Sequence, residues 1–171
     1  NIKNLLRSLP PAPEADENQP RASSPRRTRQ PDLPSDTYQA FRGSNVSLRH
    51  PDNWKAYQTD QNLTLAPDGG IVSNGNSSAL ACGVVMEVFA PDGGNRSNMN
   101  LQEATNQLIE SLRSSNAAMR ISKDQGRVRV GGKSALSKIL TNDSPLGGRE
   151  TDWLVTVLRP EGLLYFVFAA P

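Results

Sequence analysis

The chain has 171 residues and a formal net charge of +2, with one cysteine and one histidine. A lone cysteine excludes an intramolecular disulfide or a cysteine zinc cluster, and a lone histidine excludes the paired-histidine zinc site of a His-Glu-x-x-His peptidase within this sequence. The small charge, with no basic stripe interleaved with aromatics, argues against nucleic acid as a partner, and no stretch reaches the roughly 18 apolar residues of a membrane span.

Ile2, Leu5, Leu6 and Leu9 fall at helical spacing, and Pro10-Pro11 stops the run. So short a segment is marginal as an isolated helix, so residues 1–9 read as the end of a preceding helical domain. Residues 10–37 are rich in Pro, Arg and Ser, and no aromatic residue precedes Tyr38. Glu14, Asp16 and Glu17 come just before Arg21, Arg26, Arg27 and Arg29. A segment of this kind buries too little apolar surface to offset its ordering entropy, and it reads as a disordered, solvated linker. Residues 38–171 form the folded part, which is about the size of one ordinary domain.

Within that part, Tyr38–Arg42 and Val46–His50 alternate as half-buried strands do. Pro51-Asp52-Asn53 has turn chemistry, and strands are predicted over Trp54–Thr59 and Leu63–Ala66. Ala79–Ala90 is a long apolar run, predicted as one central strand, and Cys82 inside it reads as a small buried hydrophobe. Asn100 caps a helix with Glu103 three residues on, and Leu101, Ala104, Leu108, Ile109 and Leu112 form its apolar stripe. Further strands are predicted over Arg120–Lys123, Gly126–Val130, Ser134–Thr141, Thr151–Arg159 and Leu163–Ala170. The last is apolar throughout, so it is expected to be covered on both faces. A meander, one long helix and a second meander point to an α+β fold with a largely antiparallel sheet.

Three stretches resemble one family. Val46–Tyr57 (VSLRHPDNWKAY) is similar to the opening hairpin of the PsbP/Mog1-like superfamily, with its Pro-containing turn and a Trp leading the second strand. NLQEATNQLIESL resembles that fold's long helix, and the sequence from Val128 to Pro171 resembles its back half. The resemblance implies an α/β/α sandwich around an antiparallel sheet, here lacking the family's final C-terminal helix. It also implies a mostly non-enzymatic role in assembly or protein interaction, with no catalytic residues to carry over. Separately, NIKNLLRSLPPAP is similar to the tail of the catalytic domain of bacterial M48-type zinc metallopeptidases. That likeness implies zinc in an upstream domain, and none in this chain.

The chemistry-bearing residues favour binding over catalysis. His50 precedes Pro51 at a strand end and reads as a turn residue. No Gly-x-Ser-x-Gly elbow accompanies it, and Gly132-Lys133-Ser134 lacks the spacing of a phosphate loop. Glu87 lies in an apolar strand, where the solvent face is the expected place for it. An inward carboxylate there needs a partner. An enzyme in this chain is disfavoured by the lack of a catalytic constellation, and a cleft with paired buried carboxylates, such as Glu87 or Asp152, would revive that reading.

The expectation is therefore a non-catalytic accessory domain without cofactor. It is tethered to a membrane-associated zinc metallopeptidase in a bacterial cell envelope, and its partner is a protein or protease substrate. Arg49, Trp54 and Tyr57, near the first hairpin, are the candidate interaction residues. The competing expectation is a freestanding extracytoplasmic binding or assembly protein with the front segment as its stalk.

Overall fold

The computed structural model describes residues 30–43, 46–60, 62–74, 77–91 and 100–170. The helix expected over residues 1–9, and the linker as far as residue 29, lie outside them. Eleven strands and one helix occur among the described residues, and the chain is mostly β. The strands are β1 Tyr38–Arg42, β2 Ser47–Pro51, β3 Lys55–Gln58, β4 Asn62–Ala66, β5 Ile71–Asn74, β6 Ser77–Leu80 and β7 Gly83–Phe89. The helix, α1, spans Leu101–Ser115, and β8 Arg120–Val130, β9 Lys133–Asp143, β10 Arg149–Arg159 and β11 Gly162–Ala170 follow it.

Seven strands form one antiparallel sheet in the order β3-β4-β7-β11-β10-β9-β8. The second meander, β8 to β11, runs back across the sheet until β11 pairs with β7. This places the most apolar strand at the centre. The β8–β9 connection is the two-residue loop Gly131-Gly132, with φ of 55° and 79°. Two positive φ angles in succession are what a type I′ hairpin turn requires, which is why glycine occupies both positions.

One face of the sheet is covered by α1 and by the β5–β6 hairpin. Ala104, Leu108, Ile109 and Leu112 of the helix pack on Val85, Leu140, Leu154, Leu163, Tyr165 and Val167, with Ile71 and Leu80 completing the cluster. The helix forms where its cap and stripe predict it. Asn100 accepts a hydrogen bond from the Gln102 N–H at 2.8 Å, which satisfies one of the free donors of the first turn. Thr105, inside the stripe, shares a buried hydroxyl–hydroxyl hydrogen bond of 2.8 Å with Thr156 of β10.

The other face carries the β1–β2 hairpin. Phe41, Val46, Leu48 and Trp54 pack on Leu63, Leu65, Val84 and Met86, with Phe166 and Phe168 at the margin. Residues just before β1 lie against this region. The Asp32 N–H donates to the Asp68 carbonyl at 3.1 Å, and the Asn53 side-chain amide donates to the Leu33 carbonyl at 2.8 Å.

Neither the α+β class nor the α/β/α sandwich expected from the sequence is found, because the chain is mostly β. Among the described residues a helix lies on one face only, and the other face holds a β-hairpin. The helix has the strongest periodicity in the sequence, so it dominates the sequence reading. The mass of the molecule is nonetheless in long strands, four of them in an unbroken meander. The single strand expected over Ala79–Ala90 is two strands. The Gly70 carbonyl accepts from the N–H groups of both Ala81 and Cys82, and Gly83 follows with φ of 140°. The chain therefore bends between β6 and β7, and Cys82 sits half-buried at the bend. In contrast, the two short strands expected over Arg120–Val130 are one, carrying two register shifts.

Candidate functional site

The three residues expected to form an interaction surface lie around the first hairpin. Arg49 is exposed on β2 and donates to the Tyr38 carbonyl at 3.2 Å. Trp54 is half-buried and packs in the cluster beneath the hairpin, and its Nε1 has no hydrogen-bond partner. Tyr57 is half-buried on β3. Trp54 and Tyr57 border a shallow depression that Arg49 does not reach. His50 is buried, and its Nδ1 donates to the Pro51 carbonyl at 2.8 Å, which accounts for its place at the strand end.

A different surface stands out on the same face of the sheet, beyond the edge of the hairpin. Trp153 of β10 is 41% exposed, and its ring stacks on Phe168 of β11 with centroids 5.0 Å apart. Phe168 in turn stacks near Phe166 at 6.4 Å. Alternation in two neighbouring strands produces this ladder, because residues 153, 155 and 157 of β10 and 164, 166 and 168 of β11 project to one side. Val155 and Val157 are buried beneath it, whereas Phe166 and Phe168 are only half-buried. The last strand is therefore not covered on both faces, as its uniform apolarity implied. The Trp153 Nε1 donates to Ser137 Oγ at 2.7 Å, and Ser137 donates to Gln125 Oε1 at 2.7 Å. This relay holds the indole in place and satisfies its polar end.

Basic side chains border the ladder. Lys123 of β8 is opposite Ile139, which is opposite Trp153. Arg149 is exposed and donates to Thr141 Oγ1 at 3.1 Å. The neighbouring sheet edge, β8, carries Arg120, Lys123, Asp124, Arg127 and Arg129 along with its register shifts, devices that discourage strand addition.

The carboxylates lie on the helix-covered face. Glu87 points inward, contrary to expectation, and is half-buried with the Tyr165 hydroxyl donating to its Oε2 at 2.8 Å. Burial pushes its carboxyl up from the ordinary range, and the Tyr165 hydrogen bond partly offsets this. Glu87 is opposite Tyr165 whereas Asp152 is opposite Ala169, which separates the two by about 13 Å along β11. They form no catalytic pair. The residue that alternation should have flagged is Glu150. It shares the inward face of β10 with Asp152 and Leu154, so a helix covering that face encloses both acids. Glu150 is 3% exposed and Asp152 1%. Burial, with the Asp152 charge next, raises the Glu150 carboxyl to about 8, and burial raises Asp152 to about 6. Glu150 lines a cavity at the end of α1, and Asp152 does not. Of the two buried acids of β10, only Glu150 reaches a cleft. Among the described residues no group of three potential ligands could hold a metal ion, and no helix is long and apolar enough to cross a membrane.

No protein-family model matches the chain, and no curated protein matches it.

Proposed function

We propose that this is a non-catalytic protein-interaction domain whose recognition surface is the Trp153–Phe168–Phe166 ladder. The observation that carries the reading is a stacked, partly exposed aromatic row on a rigid sheet, with its indole N–H already satisfied. Aromatic side chains held in this way give large contact area at low entropic cost, as interface anchors do. The basic border and the blunted β8 edge favour one kind of occupant, an apolar segment of a partner protein flanked by acidic residues and laid on the face. A Pro- and Arg-rich tether ahead of the domain suits an accessory role, because it raises local concentration without fixing geometry. The likeness of the front segment to the end of an M48-type catalytic domain supports a zinc metallopeptidase as the upstream domain, for which this one would hold partner or substrate proteins.

The test uses an acidic, permanently unfolded polypeptide, reduced and carboxymethylated α-lactalbumin. The full chain is expected to bind it with micromolar affinity, and the doubly substituted Trp153→Ser, Phe168→Ser chain at least tenfold more weakly. Equal binding by both chains, or none by the native one, would contradict the reading.

A further inference from the structure

A cavity of about 310 Å³ opens on the opposite side of the sheet from the aromatic ladder, at the C-terminal end of α1. Its mouth is formed by the exposed Ser115, Ala117 and Asp143, and its interior by Leu80, Asn142 and Glu150. Glu150 hydrogen-bonds with Ser144, but its Oε2 has no partner, although the side chain is almost wholly buried. A buried, unsatisfied carboxyl oxygen costs free energy that a ligand can recover.

The charged side chains that line the cavity, Asp143 and Glu150, have one sign. The last turn of α1 ends at the mouth and brings the negative end of the helix dipole, although the Arg113 carbonyl already accepts from the Asn116 N–H and the Ala117 carbonyl from Arg120. Asp143 stands beside it, and among the described residues no basic side chain lines the cavity. The nearby bases already have partners, and one of them, Arg120, holds a carbonyl at the rim. Arg113 pairs with Glu110, Arg120 donates to the carbonyls of Ala117 and Met119, and Arg149 donates to Thr141. The remaining wall, with Ala79, Leu80, Ala118 and Pro145, is aliphatic. A hard divalent cation asks for a shell of oxygen ligands, which this wall does not offer. An aliphatic stem ending in a positive charge matches both parts of it.

We infer that this cavity binds the end of a basic side chain, an ammonium or guanidinium on an aliphatic stem, with Glu150 as its counter-charge. The Asn142 amide supplies a second acceptor. Because burial and Asp152, with Asp143 acting in the same sense, hold the Glu150 carboxyl protonated at pH 7, an incoming cation displaces its proton. Binding therefore releases a proton at pH 7, releases less as pH rises past about 8, and tightens over the same interval. The site is independent of the aromatic ladder and stands whether or not that face binds protein.

The experiment titrates the full chain with N-acetyl-arginine amide and N-acetyl-lysine amide, using N-acetyl-norleucine amide as the uncharged control. Amide shifts are followed by NMR, and proton release by calorimetry in buffers of different ionisation enthalpy. The expected result is saturable shifts at Ala79, Ala117 and Glu150 with one or both cations, proton release at pH 7, and at least tenfold weaker binding to Glu150→Gln. Ala117→Phe, which fills the mouth without touching the carboxyl, is expected to weaken binding as well, and it serves should the glutamine variant fail to fold. Binding of the norleucine compound as tight as that of the cations would overturn the inference. So would unchanged binding in the foldable variants, or no response to either cation.

Discussion

Trp153 is kept flat on the sheet by one hydrogen bond to Ser137, itself fully buried and bonded to Gln125. Removing that hydroxyl leaves the indole N–H and the Gln125 oxygen without their partner. Ser137→Ala is expected to lower stability by about 1 kcal/mol in urea unfolding, and to weaken binding at the ladder with the ring still present. The acids of β10 give a pH signature. Glu150 and Asp152 both titrate above their unfolded values, so the native state holds protons that the unfolded chain has already released. Their contribution is fully present below about pH 4 and is lost as pH rises, through about 6 for Asp152 and about 8 for Glu150. Urea midpoints are expected to fall between pH 5 and pH 8.5, and the fall is expected to be smaller in Glu150→Gln. A flat profile in the native chain would show that these carboxyls are already ionised at neutral pH.

At the scale of elements, α1 is the most legible part of the sequence, because one capping residue and five apolar positions at helical spacing all agree. Leu108, 2% exposed at the centre of that stripe, is expected to cost about 2–5 kcal/mol on truncation to alanine, read from chemical unfolding. The strands of the second meander are legible by alternation. Their consequences for the two faces are not, since alternation places Glu150 with Leu154 without showing that a helix covers them. The break at Ala81-Cys82 is hidden for a different reason. A continuous apolar run looks like one strand, and the bend depends on the distant Gly70 carbonyl. Gly162 makes a similar demand at the start of β11. Its φ is 146°, and a Cβ there would stand 2.7 Å from the Phe89 carbonyl oxygen. Gly162→Ala is expected to destabilise by about 2 kcal/mol or more, with the loss in thermal midpoint accompanied by weaker β7–β11 amide protection.

For the whole molecule, the antiparallel sheet could be read from the sequence, and the layer that covers its second face could not. The second face is closed over one half by a hairpin, and over the β10–β11 half Val155 and Val157 are buried while the Trp153 end stays partly exposed. On the proposed reading, that incomplete cover is what leaves the aromatic ladder accessible to a partner. No local pattern announces it, because exposure of Trp153 and Phe168 depends on where a hairpin more than 100 residues away stops. The sequence instead directs attention to Arg49 and Trp54, which belong to that covering hairpin and the turn after it, and to Tyr57 on the edge strand β3. The two surfaces are separable by experiment. Amide and indole NMR shifts, recorded as the unfolded polypeptide is added to the full chain, test the central claim most directly. The account predicts perturbations at Trp153, Val155, Phe166, Phe168 and the neighbouring Lys123. Perturbations confined to Arg49, Trp54 and Tyr57, with the Trp153 indole signal unmoved, would contradict it.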